Sequence, residues 1–406
     1  MRGLRVREHG GAPTRRRPPP ALGAANEEYR PVTVPRNAST THAIDTLLTA
    51  IGAAPDALAL FATASEQLRR LIPYDASVWR ATDPVTGMMT SPIRVENLTE
   101  EGCSVYWESE LLTENINLFR DLARAPLPVA GLREATGGLP GRSTLYRDFL
   151  APRGLDDELR AVLRVGGHPW GQVSLFRAQG APAFGADDTL VVKELSAAMA
   201  RRLRSFTEPS AEPTPSHGPG PGLLLFDASG RLLSVNDEAR ELLDDLVPGP
   251  ATPTPLGVSV PAWMHSTASK ARAIAAGWDK GVARVRVRSK GGRWLACHAS
   301  CLRGADGELG ASAVVIERAS ISEVAPLMVK AYELTDRELE ITQHIARGLG
   351  TAEMAGKLFL SPHTVRDHVK AIFEKVRVSS RGELVAKLFT EHYAPLGEES
   401  EQRVWG

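Results

Sequence analysis

Hydrophobic and polar positions repeat with different periods along the chain, and these periods predict where helices and strands lie. Between residues 41 and 206, apolar residues first recur at helical spacing. They then alternate with polar ones in two runs, 159–165 and 170–176, which Gly166 and Gly167 join. A last stretch before residue 206 is again apolar at helical spacing. The pattern predicts an opening helix, an antiparallel hairpin and a long closing helix in one domain.

A second, smaller domain is predicted over residues 223–320. Residues 223–226 have the apolar character of a strand, the following Asp-Ala-Ser-Gly is a turn, and a return strand comes after it. Asn236 stands where it can cap a helix. Val285 and Val287 alternate with arginines, which predicts a half-buried strand, and two more strands follow across glycine-containing turns.

The segments around these two domains lack such periods. Residues 1–40 carry an arginine cluster followed by a proline run, and we expect them to be disordered. Residues 207–222 are too rich in proline for helix or sheet and should form a linker. A second linker is expected over 321–331, and a C-terminal tail over 395–406.

Capping chemistry marks three helix starts between residues 332 and 394. Thr335 and Ser380 are each followed three residues later by a glutamate, which is the spacing of a capping box. Ser361 comes directly before Pro362, a pair typical of an N-cap and a first helical position. A short helix fits between the starts at Thr335 and Ser361. This part of the chain therefore predicts four helices, with a tight link between the second and the third.

The third of these helices has two different faces. Its apolar positions recur at helical spacing and must face a core; they are Val365, Val369, Ile372 and Val376. Lys+Arg and Asp+Glu are equal over the whole chain, at 48 each, so any basic surface must be local. Between Ser361 and Arg381 the basic residues exceed the acidic ones. A helix that is apolar beneath and basic outside suits the DNA major groove, which is about 12 Å wide.

Three runs carry a family resemblance: Leu-Thr-Asp-Arg-Glu-Leu-Glu-Ile from residue 334, the run 361–375, and Arg-Gly-Glu-Leu-Val from residue 381. In sequence and spacing, residues 332–394 resemble the LuxR-type helix-turn-helix DNA-binding domain, with 361–375 as its recognition helix. Four positions depart from the family pattern. Thr342 and His344 stand where leucines are usual, Gly350 where serine is usual, and Arg377 where glycine is common.

The resemblance implies which side chains meet DNA. Arg366 and Lys370, one turn apart, would read bases, and Asp367 occupies a position that touches bases in some members. The full set of implied DNA-binding residues is Thr364, Arg366, Asp367, Lys370, Lys375, Arg377 and Arg381, of which Thr364, Lys375 and Arg377 would contact phosphate. The family's last helix also pairs with its twin, which implies a homodimer through Leu384, Val385, Leu388 and Phe389.

The upstream domains resemble sensory folds, with a GAF-like domain over 41–206 and a PAS-like domain over 223–320. The expected fold class is thus multidomain: α/β, with GAF-like and PAS-like antiparallel sheets and helices, followed by an all-α four-helix domain. Both sensory folds can bind small molecules. We therefore expect an apolar pocket lined by Trp79 or Trp107, with an unknown ligand.

Composition excludes several classes of protein. The three cysteines are too few for a disulfide framework and indicate a reducing compartment. No apolar run approaches the roughly 20 residues that a membrane span needs, so we expect a cytoplasmic protein. On one strand, Cys297 and Cys301 would be about 13 Å apart, too far to share a metal ion with His298. Without a phosphate loop or a nucleophile–base pair, we predict no catalytic residue, no metal and no cofactor.

These observations predict a one-component transcriptional regulator that binds double-stranded DNA as a homodimer. A small molecule in the sensory domains and RNA polymerase are further candidate partners, whereas a membrane is not. Two other function classes stay open: a protein-interaction module and a sigma-like polymerase-binding factor. Steep salt dependence would separate DNA binding from protein docking. A sigma-like factor would need an upstream polymerase-binding region, which residues 41–320 do not resemble.

Overall fold

The computed structural model describes residues 38–98, 103–114, 116–207, 220–385 and 387. Most of the predicted N-terminal tail and proline-rich linker, and all of the predicted C-terminal tail, lie outside these residues. The first helix, α1, spans Ala38–Ala53, so the last three residues of the stretch expected to be disordered are helical instead.

The first domain is an antiparallel sheet with helices on both faces. Its helices are α1, α2 (Ala57–Leu71), α3 (Cys103–Glu108), α4 (Phe119–Leu122), α5 (Leu132–Ala135) and α6 (Ala186–Ser205). Its strands are β1 (Ala76–Thr82), β2 (Met89–Glu96), β3 (Val129–Gly131), β4 (Leu155–Val165) and β5 (His168–Ala178), in the order β2-β1-β5-β4-β3. Short π- or 3₁₀-helical turns lie at Ser109–Thr113, Pro140–Arg142, Tyr146–Leu150 and Ala151–Arg153.

The predicted hairpin of the first domain is present as β4 and β5. Gly166 and Gly167 form its turn with φ values of 59° and 77°, a left-handed conformation that glycine adopts without a steric penalty. One face of the sheet, which includes Trp79, Leu159 and Val173, joins an apolar core with residues of α1, α2 and α6. This apolar face is the one that the alternating pattern predicted.

The second domain repeats the strand order of the first. Its sheet contains β6 (Gly222–Phe226), β7 (Leu232–Val235), β10 (Arg284–Arg288), β11 (Trp294–Arg303) and β12 (Leu309–Arg318), in the order β10-β11-β12-β6-β7. A separate hairpin is formed by β8 (Ala251–Pro253) and β9 (Ser259–Pro261), and the helices are α7 (Asp237–Asp244) and α8 (Ala262–Ala275). Read from β7 and counted within each sheet, both orders are 2-1-5-4-3.

Local predictions for the second domain are confirmed except at β10. Asn236 caps α7, because its side chain accepts a hydrogen bond from the Ala239 N–H at 3.1 Å. The strand β10 was expected to be half-buried, but Arg286 is only 4% exposed, like the valines beside it. Its guanidinium donates to the Asp83 carboxylate of the first domain at 2.7 Å, so the polar side of β10 is covered as well.

The segment 321–331, expected to be a linker, is a helix. Helix α9 spans Ile321–Ala331. Val324, Leu327 and Met328 on it are at most 2% exposed and belong to a core that includes residues of α6 and of the C-terminal helices. The prediction of a linker was wrong because a helix of 11 residues is stabilised mainly by such packing, which its own sequence does not display.

Four helices follow α9, as predicted: α10 (Asp336–Ala346), α11 (Thr351–Leu358), α12 (Pro362–Val376) and α13 (Arg381–Val385). Their shared core contains one fully buried side chain from each helix, namely Ile341, Met354, Ile372 and Leu384. Within the part of the chain that the structure describes, there is no helix with the length and apolar character that a bilayer crossing requires.

Candidate nucleic-acid interface

Two side-chain caps set where α10 and α12 begin. Thr335 and Glu338 form the predicted capping box: Thr335 Oγ1 accepts from the Glu338 N–H at 3.2 Å, and Glu338 Oε2 accepts from the Thr335 N–H at 2.7 Å. At the start of α12, Ser361 Oγ accepts from the Thr364 N–H at 3.0 Å. These bonds satisfy N–H groups that a helix start leaves unpaired, and they confirm both predicted starts.

The caps of α13 and α11 differ from each other. Ser380 Oγ accepts from the Glu383 N–H at 3.1 Å as predicted, and the Glu383 carboxylate also accepts from the Ser379 N–H at 2.6 Å. At α11, the N-cap position is Gly350, which has no side chain to accept a hydrogen bond. Its N–H donates to the Glu353 carboxylate at 2.7 Å, so only one half of a box is present there.

Helix α12 packs against α10 and α11 through one face and leaves the other face open. Val365, Ile372 and Val376 are 0% exposed, whereas Val369 is half-buried at the edge of the core. The link between α11 and α12 turns at Phe359, whose φ of 54° is left-handed. The helix-turn-helix geometry therefore presents the polar face of α12 to solvent.

The open face of α12 carries the three side chains that are implied to contact bases. Arg366, Asp367 and Lys370 are all exposed. His363 Nδ1 lies 2.9 Å from the Asp367 carboxylate, and Lys370 Nζ lies 4.0 Å from Glu374, with every one of these side chains at least 66% exposed. Exposed pairs of this kind contribute about 0–1 kcal/mol, so they can be exchanged for contacts with a ligand at little cost.

Two implied DNA-binding side chains are engaged within the domain. Lys375 Nζ donates to Glu338 Oε2 at 2.6 Å and to a backbone carbonyl of the segment before α10 at 3.0 Å. Arg381 donates to the backbone carbonyl of Leu349 at 3.2 Å and to Thr351 Oγ1 at 2.8 Å, which joins α13 to the start of α11. Phosphate contact by Lys375 stays a prediction, and it would require the loss of these internal bonds.

Thr364 and Arg377 lie at the two ends of α12. Thr364 is half-buried, with its Oγ1 2.9 Å from Ser361 Oγ. Arg377 follows the helix with φ of 58°, a conformation that favours glycine, and its side chain is exposed. The glycine usual at this position in the resembled family thus has a backbone reason, and the arginine here places a cation at the helix end.

The residues implied to pair two copies have different environments. Leu384 is 0% exposed because it belongs to the core of its own domain. Val385 is half-buried and packs against the same core. Leu388 and Phe389 lie outside the described residues. Leu384 is therefore assigned to the fold of one chain rather than to a contact between chains.

A buried polar cluster covers the second face of the first sheet, and the sequence analysis missed it. Arg160 Nη1 donates to Glu110 Oε2 at 2.6 Å, and its Nε lies 3.0 Å from Glu158. The Tyr106 hydroxyl donates to Glu158 at 2.6 Å, and burial raises the pKa of this hydroxyl. All four side chains are at most 6% exposed. Alternating polar residues on a strand usually face water, so the pattern alone did not reveal the burial.

Trp107 lines a cavity beside this cluster, whereas Trp79 does not. The cavity has a volume of about 270 Å³, and its walls include Trp107, Phe119 and, from α8, Lys270. Trp79 lies in the apolar core on the opposite side of the sheet, with its ring centroid 6.3 Å from that of Phe61. Of the two tryptophans expected to line a pocket, only Trp107 is placed to do so.

Comparison with known proteins finds sequence similarity in the C-terminal helices. Residues 332–388 match the family model described as bacterial regulatory proteins, luxR family. The spore germination protein GerE of Bacillus subtilis (strain 168) is 36% identical over 55 residues, which cover 74% of that protein and 14% of this chain. The oxygen regulatory protein NreC of Staphylococcus carnosus (strain TM300) is 48% identical over 52 residues, which cover 24% of it and 13% of this chain. This chain thus spans about a quarter of NreC.

Two solved structures overlap with larger parts of the chain at low scores. Escherichia coli SdiA is 14% identical with a TM-score of 0.31, and the overlap covers 87% of this chain and 99% of that one. The VqsR LBD domain from Pseudomonas aeruginosa is 14% identical with a TM-score of 0.29, covering 42% of this chain and 99% of that one. TM-scores of this size support no conclusion about the present chain.

Proposed function

The chain belongs to the LuxR family of bacterial regulatory proteins, and on this premise we propose that it is a one-component transcriptional regulator whose helix α12 reads double-stranded DNA. The matched residues contain the whole helix-turn-helix unit, α11 and α12. The upstream domains would sense a signal and the C-terminal domain would bind the operator. This role involves no catalytic step.

The exposed face of α12 is the observation that carries the proposal. Arg366 and Lys370 are one helical turn apart, and both extend away from the buried Val365 and Ile372. Their donors suit the O6 and N7 acceptors of guanine, and Asp367 between them can accept from the amino group of cytosine. Because the opposite face is packed against two other helices, these side chains would enter the major groove as one rigid unit.

Contacts with the DNA backbone are proposed for the ends of this helix. Thr364 lies in the first turn of α12, where the positive end of the helix dipole favours an anion such as phosphate. Arg377 at the other end is exposed and positively charged. Lys375 and Arg381 are assigned instead to holding α10–α13 together, because each donates hydrogen bonds to a neighbouring helix or loop.

We further propose that two copies bind to two related half-sites. Arg366 and Lys370 of one α12 can specify only a few base pairs. A symmetric pair of helices doubles the length of DNA sequence that is recognised. The pairing surface would include Val385 and the segment that carries Leu388 and Phe389. It would not include Leu384, which is fully buried in its own domain.

The test is selection of bound sequences from a randomised DNA library with the full chain. Arg366→Ala and Lys370→Ala should each weaken binding to the selected site by about 1–3 kcal/mol and relax the preference at a particular base pair. Arg70→Ala removes the same charge from an exposed position on α2 and serves as the matched control. It should leave both the affinity and the sequence preference unchanged.

Two results would argue against this function. If both α12 variants keep the preference of the unmodified protein, α12 does not read bases. When a protein makes several phosphate contacts, raising the salt concentration from about 50 to about 200 mM weakens its binding to DNA by orders of magnitude. If binding is insensitive to salt over this range, the basic surface does not contact phosphate.

A further inference from the structure

The turn between α11 and α12 carries a large apolar side chain that lies almost wholly in solvent. Phe359 is 95% exposed, whereas Trp278, the next most exposed large apolar side chain among the described residues, is 61% exposed. Single apolar residues are common on protein surfaces, so exposure alone indicates no function. The backbone of Phe359 and the groups around it add the further evidence.

The backbone conformation of Phe359 suits a different residue. Its φ and ψ are 54° and 42°, which is the left-handed region, at the position that ends α11. Glycine or asparagine adopts this conformation at helix ends at little cost, whereas a bulky side chain is strained there. Because the ring is also exposed, Phe359 strains the backbone without contributing to the packing of the domain.

The residues on both sides of Phe359 hold its ring at a fixed place on the surface. Leu358 is 5% exposed and belongs to the core that includes the C-terminal helices, and Leu360 packs against the same core. Arg337 on α10 donates to the backbone carbonyl of Leu358 at 2.7 Å, which fixes the end of α11. The ring is therefore presented to solvent by a turn that is anchored on both sides.

The ring stands beside the face of α12 that is proposed to enter the major groove. Ser361, Pro362 and His363, at the start of α12, are exposed, and so is Arg366 one turn later. When a helix-turn-helix docks, its first helix crosses the DNA backbone and the N-terminal residues of its second helix contact bases. The turn that joins the two helices therefore lies at the edge of the groove, where the sugar–phosphate backbone runs.

The groups around the ring suit a DNA backbone better than an apolar protein surface. Lys357 precedes the turn and Ser361 follows it, and both are exposed. The positive end of the α12 dipole also lies at this turn. An apolar partner would remove these polar groups from water without bonding to them. A deoxyribose presents an apolar face between two phosphates, so the ring and the positive groups both find partners on it.

We propose that Phe359 packs against a deoxyribose at the edge of the major groove and thereby sets how α12 lies in the groove. This role rests on the proposed function, since it requires that α12 binds DNA. A backbone contact of this kind orients the protein but does not read bases. Burial of a whole phenylalanine side chain contributes a factor of about 10–150 to an equilibrium constant, so burial of one ring face should contribute about four- to tenfold.

The test measures the binding of full-length Phe359 variants to the DNA site selected from the randomised library. Phe359→Gly should weaken binding about four- to tenfold. It should leave the sequence preference and the salt slope unchanged, because neither a base contact nor a charge is removed. Its Tm should rise, because glycine adopts the left-handed backbone without strain and no packing is lost.

Two further variants separate the ring from the backbone. Phe359→Asn tolerates the same backbone without the flexibility of glycine, and it should weaken binding as Phe359→Gly does. Phe359→Tyr keeps the aromatic ring and should retain the affinity of the unmodified protein. Trp278→Ala is the matched control, because it removes an exposed aromatic ring from the second domain. It should leave DNA binding unchanged.

Hydroxyl-radical footprinting of the same complexes locates the contact, because these radicals attack exposed deoxyriboses. The unmodified protein should protect sugars at the edge of each half-site that Phe359→Gly leaves open to attack. The remaining protection should be the same for both proteins, since the other contacts of α12 are retained.

Three results would overturn the proposal. If Phe359→Gly and Phe359→Asn bind DNA as tightly as the unmodified protein, the ring does not contact DNA. If both variants lose affinity and Tm together, the phenylalanine supports the fold instead. If Phe359→Tyr loses as much affinity as Phe359→Gly, the aromatic ring is not what binds.

The same assay separates this proposal from the proposed function. If Arg366→Ala relaxes the sequence preference while the Phe359 variants bind normally, α12 reads DNA and only the role of Phe359 is wrong. If the unmodified chain selects no DNA sequence, both the proposed function and the role of Phe359 are wrong.

Discussion

Replacing Lys375 with methionine tests whether this side chain stabilises the C-terminal domain or contacts phosphate. Its Nζ lies 2.6 Å from Glu338 Oε2, and the side chains are 34% and 6% exposed. Breaking a fully buried ion pair costs about 3–5 kcal/mol, whereas an exposed pair contributes about 0–1 kcal/mol. Because the lysine reaches solvent and the carboxylate does not, we expect a loss of about 1–2 kcal/mol, with a corresponding fall in Tm.

The pH dependence of this effect has a defined sign. Burial raises the pKa of the Glu338 carboxyl, but hydrogen bonds from Lys375 and the Thr335 N–H outweigh burial and hold the pKa below its ordinary value. A carboxyl with a lowered pKa in the folded state stabilises the protein above its unfolded pKa of about 4.3, and this contribution is lost as the pH falls through the folded-state value. The Tm difference between Lys375→Met and the unmodified protein should therefore be largest near pH 7 and shrink below about pH 4.

The assay is thermal unfolding of the full chain at pH 7 and at pH 3.5, with DNA binding measured in parallel across salt concentrations. Lys370→Met is the control, because it is the same change on the same helix at a side chain that is 80% exposed. Its Tm should not change. If Lys375→Met leaves the Tm unchanged at pH 7 and instead lowers the salt slope by about one, Lys375 contacts phosphate and the structural argument is refuted.

Three further predictions concern stability. Ile372→Asp should unfold the C-terminal domain because it buries an unpaired charge, whereas Val369→Asp at the half-buried edge should cost much less; equal losses in urea unfolding would contradict this. Arg377→Gly should stabilise the domain by about 1 kcal/mol because its φ of 58° favours glycine. A lower Tm would show that the arginine side chain stabilises the domain by more than its left-handed backbone costs. Asp83→Ala should cost about 3–5 kcal/mol by leaving the guanidinium of Arg286 buried without its carboxylate, and unchanged urea unfolding would mean that this bond does not join the two domains.

Features that depend on neighbouring residues could be read from the sequence. Thr335 and Ser361 cap helices through bonds that span three residues, and Gly166 with Gly167 turns a hairpin between strands of alternating character. Helix α12 was found in the same way, since its buried and exposed positions follow from a period of 3.6 residues. Each of these signals is complete within a few residues of chain, so no knowledge of distant contacts was needed.

Features that depend on distant partners became clear only from the tertiary structure. Lys375 looks like a basic residue of an exposed helix until α10 brings Glu338 to it from 37 positions away. Arg286 reads as the solvent side of a strand until the first domain supplies Asp83, 203 positions earlier. The polar face of the first sheet and helix α9 were missed for the same reason. A sequence period shows which residues share a face, but whether that face meets water or protein is decided by elements that are far away along the chain.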